Sequence, residues 1–394
     1  MLNYFNEIDN LVEENRLVEI LSDLVNCRSD TEGDMEYSIS IYLKEFLEKI
    51  GAEVEMQHVE LKRYNVVARF KGKHKGKTFM YCGHTDVVPP GNENNWKRPP
   101  FTAHIENGKM FGRGTSDMKG SIASILHAME ILKKLNIDFC GDILLVFDVD
   151  EEISNKGLYK FFESGIKADA CLIGEPSNMV PTLGHKGIIG FWLNFKGKKA
   201  HASKPDLGIN PIMHAMSFSQ KVENFDKDVL VYRTSPMGPS TMAITYISAG
   251  KELNSIPQEC DVRVDRRLIL GETKESSCKE LELILQELKK EIKDFDCEYR
   301  VTTFCPPCEI PEDDYFVKDL KFAINLANPS SVPITYMAGT CEASLISERM
   351  KIPVVICGPG DIGLAHIENE FIEIEQLSLG TKIFAKFILK FLNQ

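Results

Sequence analysis

A chain of 394 residues, 43% hydrophobic and 26% charged, has the makeup of a globular protein with room for two domains. Its net charge of -12 at pH 7 argues against nucleic acid or an anionic membrane as a partner, since both are held through Lys and Arg on phosphate, and suits divalent cations instead. No run approaches the ~20 apolar residues that span a bilayer, the first ten positions lack a basic-then-apolar leader, and 11 scattered cysteines read as reduced thiols, so a cytoplasmic protein is expected.

Taken in order, 11–50 reads as two amphipathic helices broken near Cys27 to Asp34, with Gly51 where a C-terminal cap belongs. Strand-length apolar runs follow at 65–70 and 78–82, the second leading straight into Gly83-His84-Thr85-Asp86. After a loop rich in Pro, Asn and Gly comes Gly112 to Gly120, and then Ile122, Ile125, Leu126, Met129 and Leu132 at helical spacing, which puts Ser116 or Asp117 at the helix start. A buried strand is expected at 143–147, ending in Asp148, Asp150, Glu151 and Glu152; a helix at 156–164 and a strand at 170–173 continue the alternation up to Gly174-Glu175-Pro176-Ser177.

The pattern then changes. Strand 188–195, helix 210–222, strands 242–248 and 260–268, helix 274–292 and strand 297–303 make a βαββαβ unit of small-domain length. The earlier alternation resumes with helix 314–327, strand 334–337, helix 342–348, strand 354–357 and helix 374–392. The expected fold is therefore an α/β domain, a mixed sheet sandwiched by helices, formed by 1–184 and 304–394 and interrupted by an inserted α+β domain at 185–303.

A strand that ends in several acids is chemically pointed. Carboxylates a few ångströms apart repel by about 1 to 4 kcal/mol per pair near a surface, and so require water, a raised pKa or a cation. For this stretch alone a solvated acidic loop is the better reading. Its peers shift the balance: His84 and Asp86 follow one strand, Glu151 and Glu152 another, and Glu175 a third, with Asp117 at a helix start and His366 beyond the strand 354–357. Ligands bind outside the carboxyl ends of such strands, so these side chains can converge on one crevice. Two imidazoles and several carboxylates form the mixed nitrogen and oxygen set that suits zinc, cobalt or manganese. Asp86, in register with His84, could accept the other ring N–H and set the tautomer. Cys305-Pro306-Pro307-Cys308 lacks the helix or second cysteine pair that a redox or metal role would need.

The motifs Gly83-His84-Thr85-Asp86-Val87-Val88-Pro89, Gly112-Arg113-Gly114-Thr115-Ser116-Asp117-Met118-Lys119-Gly120, Asp150-Glu151-Glu152, Gly174-Glu175-Pro176-Ser177 and Ala365-His366 resemble, in order and over nearly the whole chain, those of the dinuclear-zinc hydrolases that include acetylornithine deacetylase, succinyl-diaminopimelate desuccinylase, aminoacylase and glutamate-releasing carboxypeptidases. The resemblance implies a zinc-exopeptidase-like catalytic domain with a lid and dimerisation domain inserted into it. It implies that His84 and Glu175 hold one zinc, Glu152 and His366 the other, that Asp117 bridges them, that Glu151 is the general base, and that the Asp117–Met118 peptide is cis. His201, in Gly197 to Pro205, would be the oxyanion donor, contributed across a homodimer; Asn254 and Arg267 match positions that hold the substrate carboxylate, with Arg267 preferred to Arg266 by its spacing to Gly271.

The expected activity is hydrolysis of the amide of an N-acyl amino acid, with a metal-held hydroxide as nucleophile and Glu151 moving the proton. A dipeptidase or carboxypeptidase of the same kind is the alternative. A silent relative kept for binding would have lost the base or a ligand, and none is missing here. One departure stands out: where many relatives read Gly-Gly-Thr-Ser-Asp, this chain has Met337-Ala338-Gly339-Thr340-Cys341-Glu342-Ala343, a thiol and a longer acid near the expected substrate pocket.

Overall fold

A computed structural model describes residues 2–33, 35–329 and 332–393, so Asp34, at the edge of the expected helix break, lies outside the described residues. The chain divides into two compact units, one formed by Met1–Leu183, Ile310–Thr335 and Cys341–Gln394, the other by Gly184–Glu309 and Tyr336–Thr340.

In the first unit the sheet runs in the order Glu53–Glu60, Arg63–Phe70, Ile143–Asp148, Phe79–His84, Ala170–Pro176, Val354–Gly358. The last four strands are mutually parallel and the first two antiparallel, which makes the sheet mixed. Every residue of Phe79–His84, Ile143–Asp148 and Ala170–Pro176 is buried, as expected for central strands covered by helices on both faces. Phe79 meets Phe387 and Phe391 of the last helix, Ile374–Leu392, while Tyr81 meets Phe384 of that helix and Phe147 of the neighbouring strand. Burying each such ring contributes roughly 1.5 to 3 kcal/mol. The mixed sheet sandwiched by helices is thus the fold expected from the alternating pattern.

Differences lie at the margins. The edge strand Glu53–Glu60 and the first helix, Leu2–Leu11, were not expected. The helix placed at Ser116 or Asp117 begins at Gly120 and runs to Lys134; Asp117, at φ -122 and ψ 96, lies in a wide turn before it. Gly51 takes φ 96 just past the helix Tyr37–Lys49, the left-handed conformation that suits a glycine there.

The second unit is a four-stranded antiparallel sheet, ordered Thr241–Ala249, Glu259–Leu268, Gly187–Lys196, Cys297–Cys305, with the helices Pro211–Asp228 and Lys274–Glu291. Alternation along Gly187–Lys196 turns Phe191, Leu193 and Phe195 into a core with Phe218, Val222, Leu281 and Leu288 of the two helices. Among the described residues no helix is long and apolar enough to cross a membrane.

Candidate active site

Parallel strands end on the same side of a sheet, and here three of them deliver chemistry. His84 closes Phe79–His84 and sits in register with Asp148, the last residue of Ile143–Asp148, while Glu175 lies near the end of Ala170–Pro176. Asp117 comes from the turn before the helix at Gly120, and His366, at φ 65, from the loop beyond Val354–Gly358.

Asp117 stands between two groups. Its Oδ1 lies 3.1 Å from His84 Nε2, which is 3.5 Å from Glu175 Oε1. Its Oδ2 lies 3.4 Å from His366 Nε2, which is 3.0 Å from Glu152 Oε1. Ligands of a tetrahedral ion with bonds near 2.1 Å stand about 3.4 Å apart. Each group, His84 with Asp117 and Glu175 and Asp117 with Glu152 and His366, therefore has the donor types and spacing to hold a divalent ion, and the shared Asp117 can bridge two of them.

The imidazole geometry fits an ion as well. His84 Nδ1 is 2.9 Å from the backbone carbonyl of Asp86 and must donate to it, so in the neutral ring Nε2 carries a lone pair facing two carboxylate oxygens. A cation in place of a proton resolves that clash of lone pairs. The contact also corrects an expectation: it is the carbonyl of Asp86, not its carboxylate, that sets the tautomer, the carboxylate standing 3.7 Å from Nδ1. The Asp86 carboxylate instead accepts the backbone N–H groups of Glu151 at 3.2 Å and Glu152 at 3.1 Å, and so positions the acidic loop.

Electrostatics follow from burial. Burial pushes Glu151 and Glu175 well above the usual carboxylate range, Glu342 adding to both, and raises Asp86 to about 7. Burial would also raise Asp117, but hydrogen bonds from His366 and His84 hold it below the ordinary range. His366 is raised to about 10 by its hydrogen bonds to Asp117 and Glu152.

Several supports were not visible in the sequence. Glu370, fully buried, accepts the backbone N–H of Ser116 at 2.8 Å and of Asp117 at 3.1 Å on one oxygen, and Gly114 N–H at 2.9 Å with Arg113 Nη1 at 2.7 Å on the other. Arg113 also donates to the Ile367 carbonyl at 3.3 Å, tying the His366 loop to the Asp117 turn. Arg63, clasped by Glu36, donates to Asp150, the positive-φ residue that opens the acidic loop. The Asp117–Met118 peptide, by contrast, is cis as the resemblance implies. Glu342 is wholly buried, and its carboxylate lies within 4.8 Å of ligand atoms of Glu151 and Glu175.

The remaining candidates belong to the second unit. Ala200–His201 pairs with Ser255–Ile256, and Ala202 N–H donates to the Asn254 carbonyl at 2.8 Å, so His201 and Asn254 are neighbours. His201 is exposed, with Nδ1 2.8 Å from Ser203 Oγ. Arg267 is half-buried and grips Asp265 through two hydrogen bonds, whereas Arg266 is buried among Glu272, Glu280 and Ser240. Burial pushes the Cys308 thiol up to about 12, far from a reactive thiolate.

Among curated proteins the chain is similar to an acetylornithine deacetylase from Photorhabdus laumondii, 30% identical over 352 residues that cover 88% of each chain. It is also similar to a probable succinyl-diaminopimelate desuccinylase from Staphylococcus epidermidis, 27% identical over 391 residues covering 92% of this chain and 94% of the relative. A tripeptidase from Staphylococcus aureus shares the fold, with a TM-score of 0.83 and 23% identity over 98% of this chain and 100% of that one. Since the pattern of Peptidase family M20/M25/M40 matches residues 80–390, and the two ligand groups joined at Asp117 lie in that stretch, the chain belongs to this family of metallohydrolases.

Proposed function

We propose that the protein is a cytoplasmic, homodimeric deacylase that hydrolyses the amide bond of an N-acyl amino acid, of the acetylornithine or succinyl-diaminopimelate kind, with two zinc ions that cobalt or manganese can replace. The observation that carries this reading is Asp117, one oxygen turned to His84 and the other to His366. His84 and Glu175 would hold one ion, Glu152 and His366 the other, with Asp117 common to both groups. The chemistry two ions would supply there is Lewis-acid polarisation of the amide carbonyl and a lowered pKa of water.

The chain's own groups do the rest. Glu151, adjacent to a ligand yet outside both ligand groups, takes a proton from the attacking water and returns it to the leaving nitrogen. Asp86 keeps Glu151 and Glu152 in place through their backbone N–H groups. His201 donates to the oxygen that gains charge, and Asn254 and Arg267 hold the substrate carboxylate. The exposed edge strand Thr241–Ala249, with Tyr246 and Ile247, and the exposed Met213 and Met216 support a homodimer through the second unit.

The sequence relatives support a deacylase over a peptidase. A panel of N-acetyl and N-succinyl amino acids, dipeptides and tripeptides, assayed after reconstitution with zinc, cobalt or manganese, tests the choice. An N-acyl amino acid should give the highest kcat/KM; a dipeptide or tripeptide at the top would reverse it, and light scattering that shows a monomer would remove the dimer.

A further inference from the structure

The candidate dinuclear centre leaves some of the buried acid around it unused. Glu342 is 0% exposed, and neither carboxylate oxygen finds a hydrogen-bond partner in another of the described residues. Asp148 is also 0% exposed, with Oδ2 unpartnered and Oδ1 3.8 Å from Cys82 Sγ. Ligand atoms of Cys82, Asp148 and Glu342 all lie within 4.8 Å of one another.

An unpaired buried carboxylate costs several kcal/mol, and here two face each other. Two divalent ions offset the charges of Asp117, Glu152, Glu175 and Glu151, and Asp86 is held by two backbone N–H groups, which leaves Asp148 Oδ2 and both Glu342 oxygens without a partner among the described residues. The unpartnered oxygens thus call for a further cation. A thiolate with two carboxylates is a donor set for zinc or cobalt, and a tetrahedral ion bonded to sulfur and oxygen sets them about 3.6 Å apart, close to the Cys82–Asp148 separation. The frame is firm: Cys82 and Asp148 lie on adjacent, fully buried parallel strands, and Glu342 immediately precedes the helix Ala343–Met350.

We propose that Cys82, Asp148 and Glu342 bind a third divalent transition-metal ion beside the dinuclear centre. Its entry displaces the Cys82 thiol proton. Glu342, within 4.8 Å of Glu151 and Glu175 as well, joins this ion to the neighbourhood of the base. The proposal holds whichever amide the enzyme cleaves.

Metal analysis and spectroscopy of the holoenzyme test it. After dialysis against metal-free buffer the native protein should retain about three ions per chain, and Asp148→Asn and Glu342→Gln about two each. Reconstituted with cobalt, the native protein should show a near-ultraviolet thiolate-to-cobalt band, because among the described clusters Cys82 alone offers sulfur. The band should vanish in Cys82→Ser; Asp148→Asn, which keeps the thiol, should lose it too and covers the case in which the serine variant does not fold. About two ions in the native protein, no band, or a band that survives in either variant overturns the site. Amide turnover by a two-ion enzyme would then leave the dinuclear reading in place.

Discussion

His84 in the first unit and His201 in the second each end a strand and stand beside short polar loops, yet they are held very differently. His84 is 1% exposed, its Nδ1 committed to a carbonyl and its Nε2 to two carboxylates. His201 is exposed and, among the described residues, its ring bonds to the serine two residues on. The same contrast separates Asp117, whose backbone N–H is caught by the buried Glu370, from Asn254 on an exposed loop. The first unit holds its polar groups by contacts of its own, whereas the second leaves His201 and Asn254 exposed, where on the proposed reading substrate or another chain would meet them. Changes in the first should therefore act on metal and chemistry, and changes in the second on substrate.

The largest effect belongs to Asp117, common to both candidate ligand groups. Asp117→Ala takes an oxygen from both groups at once, so it should lose both ions of the centre and bring turnover to background, as should a strong chelator at neutral pH. Metal analysis beside a rate assay checks this. Turnover at the native rate with both ions lost would break the assignment of catalysis to this unit.

Glu151→Gln comes next. It preserves size and removes the proton carrier, so kcat should fall by about 10²- to 10⁴-fold while the ions stay bound. Loss of metal together with rate would recast Glu151 as a ligand.

How much of this contrast is legible in the sequence follows from its physical origin. His84, Glu175 and Glu152 were readable because each follows a short apolar run, and the end of a central parallel strand is where such residues meet. Glu370 was not, since Phe371–Glu373 and its flanks look like any acidic surface segment, and nothing local announces a partner 254 residues away. The same holds for Arg63 and Glu36, which brace Asp150 from other elements. The edge strand Glu53–Glu60 escaped because one neighbour and an exposed face leave its composition polar. Asp86 was placed beside the right histidine with the wrong group, because side-chain register says nothing of where the chain turns its carbonyl after the strand ends.

Asp86→Asn sharpens the contrast inside the first unit. Asparagine keeps one acceptor and loses the other, so one of the N–H groups of Glu151 and Glu152 goes unpaired and the loop loosens. Support of this kind around a metal ligand is worth about 10- to 100-fold in affinity or rate. The ions should bind more weakly with unchanged substrate KM, measurable by metal titration; a change in KM alone would move Asp86 out of the supporting role.

The adjacent arginines give the smallest effect on chemistry and the cleanest comparison of structure with function. Among the described residues the Arg267 side chain bonds to Asp265, at 2.8 and 3.1 Å, so Arg267→Ala should leave stability nearly unchanged, as is usual for partly exposed pairs. If its fork holds the substrate carboxylate, kcat/KM should fall by about 10- to 100-fold, mostly through KM, with metal content untouched. Arg266 is 1% exposed and bound to Glu272, Glu280 and Ser240. Removing it leaves Glu272 and Glu280 to Arg233, so Arg266→Ala should destabilise the second unit by about 1.5 to 3 kcal/mol. Denaturant unfolding of both variants beside their kinetics decides between them. If Arg266→Ala stays stable and loses substrate affinity while Arg267→Ala loses neither, the strand presents the opposite face to the substrate and the carboxylate site moves by one residue.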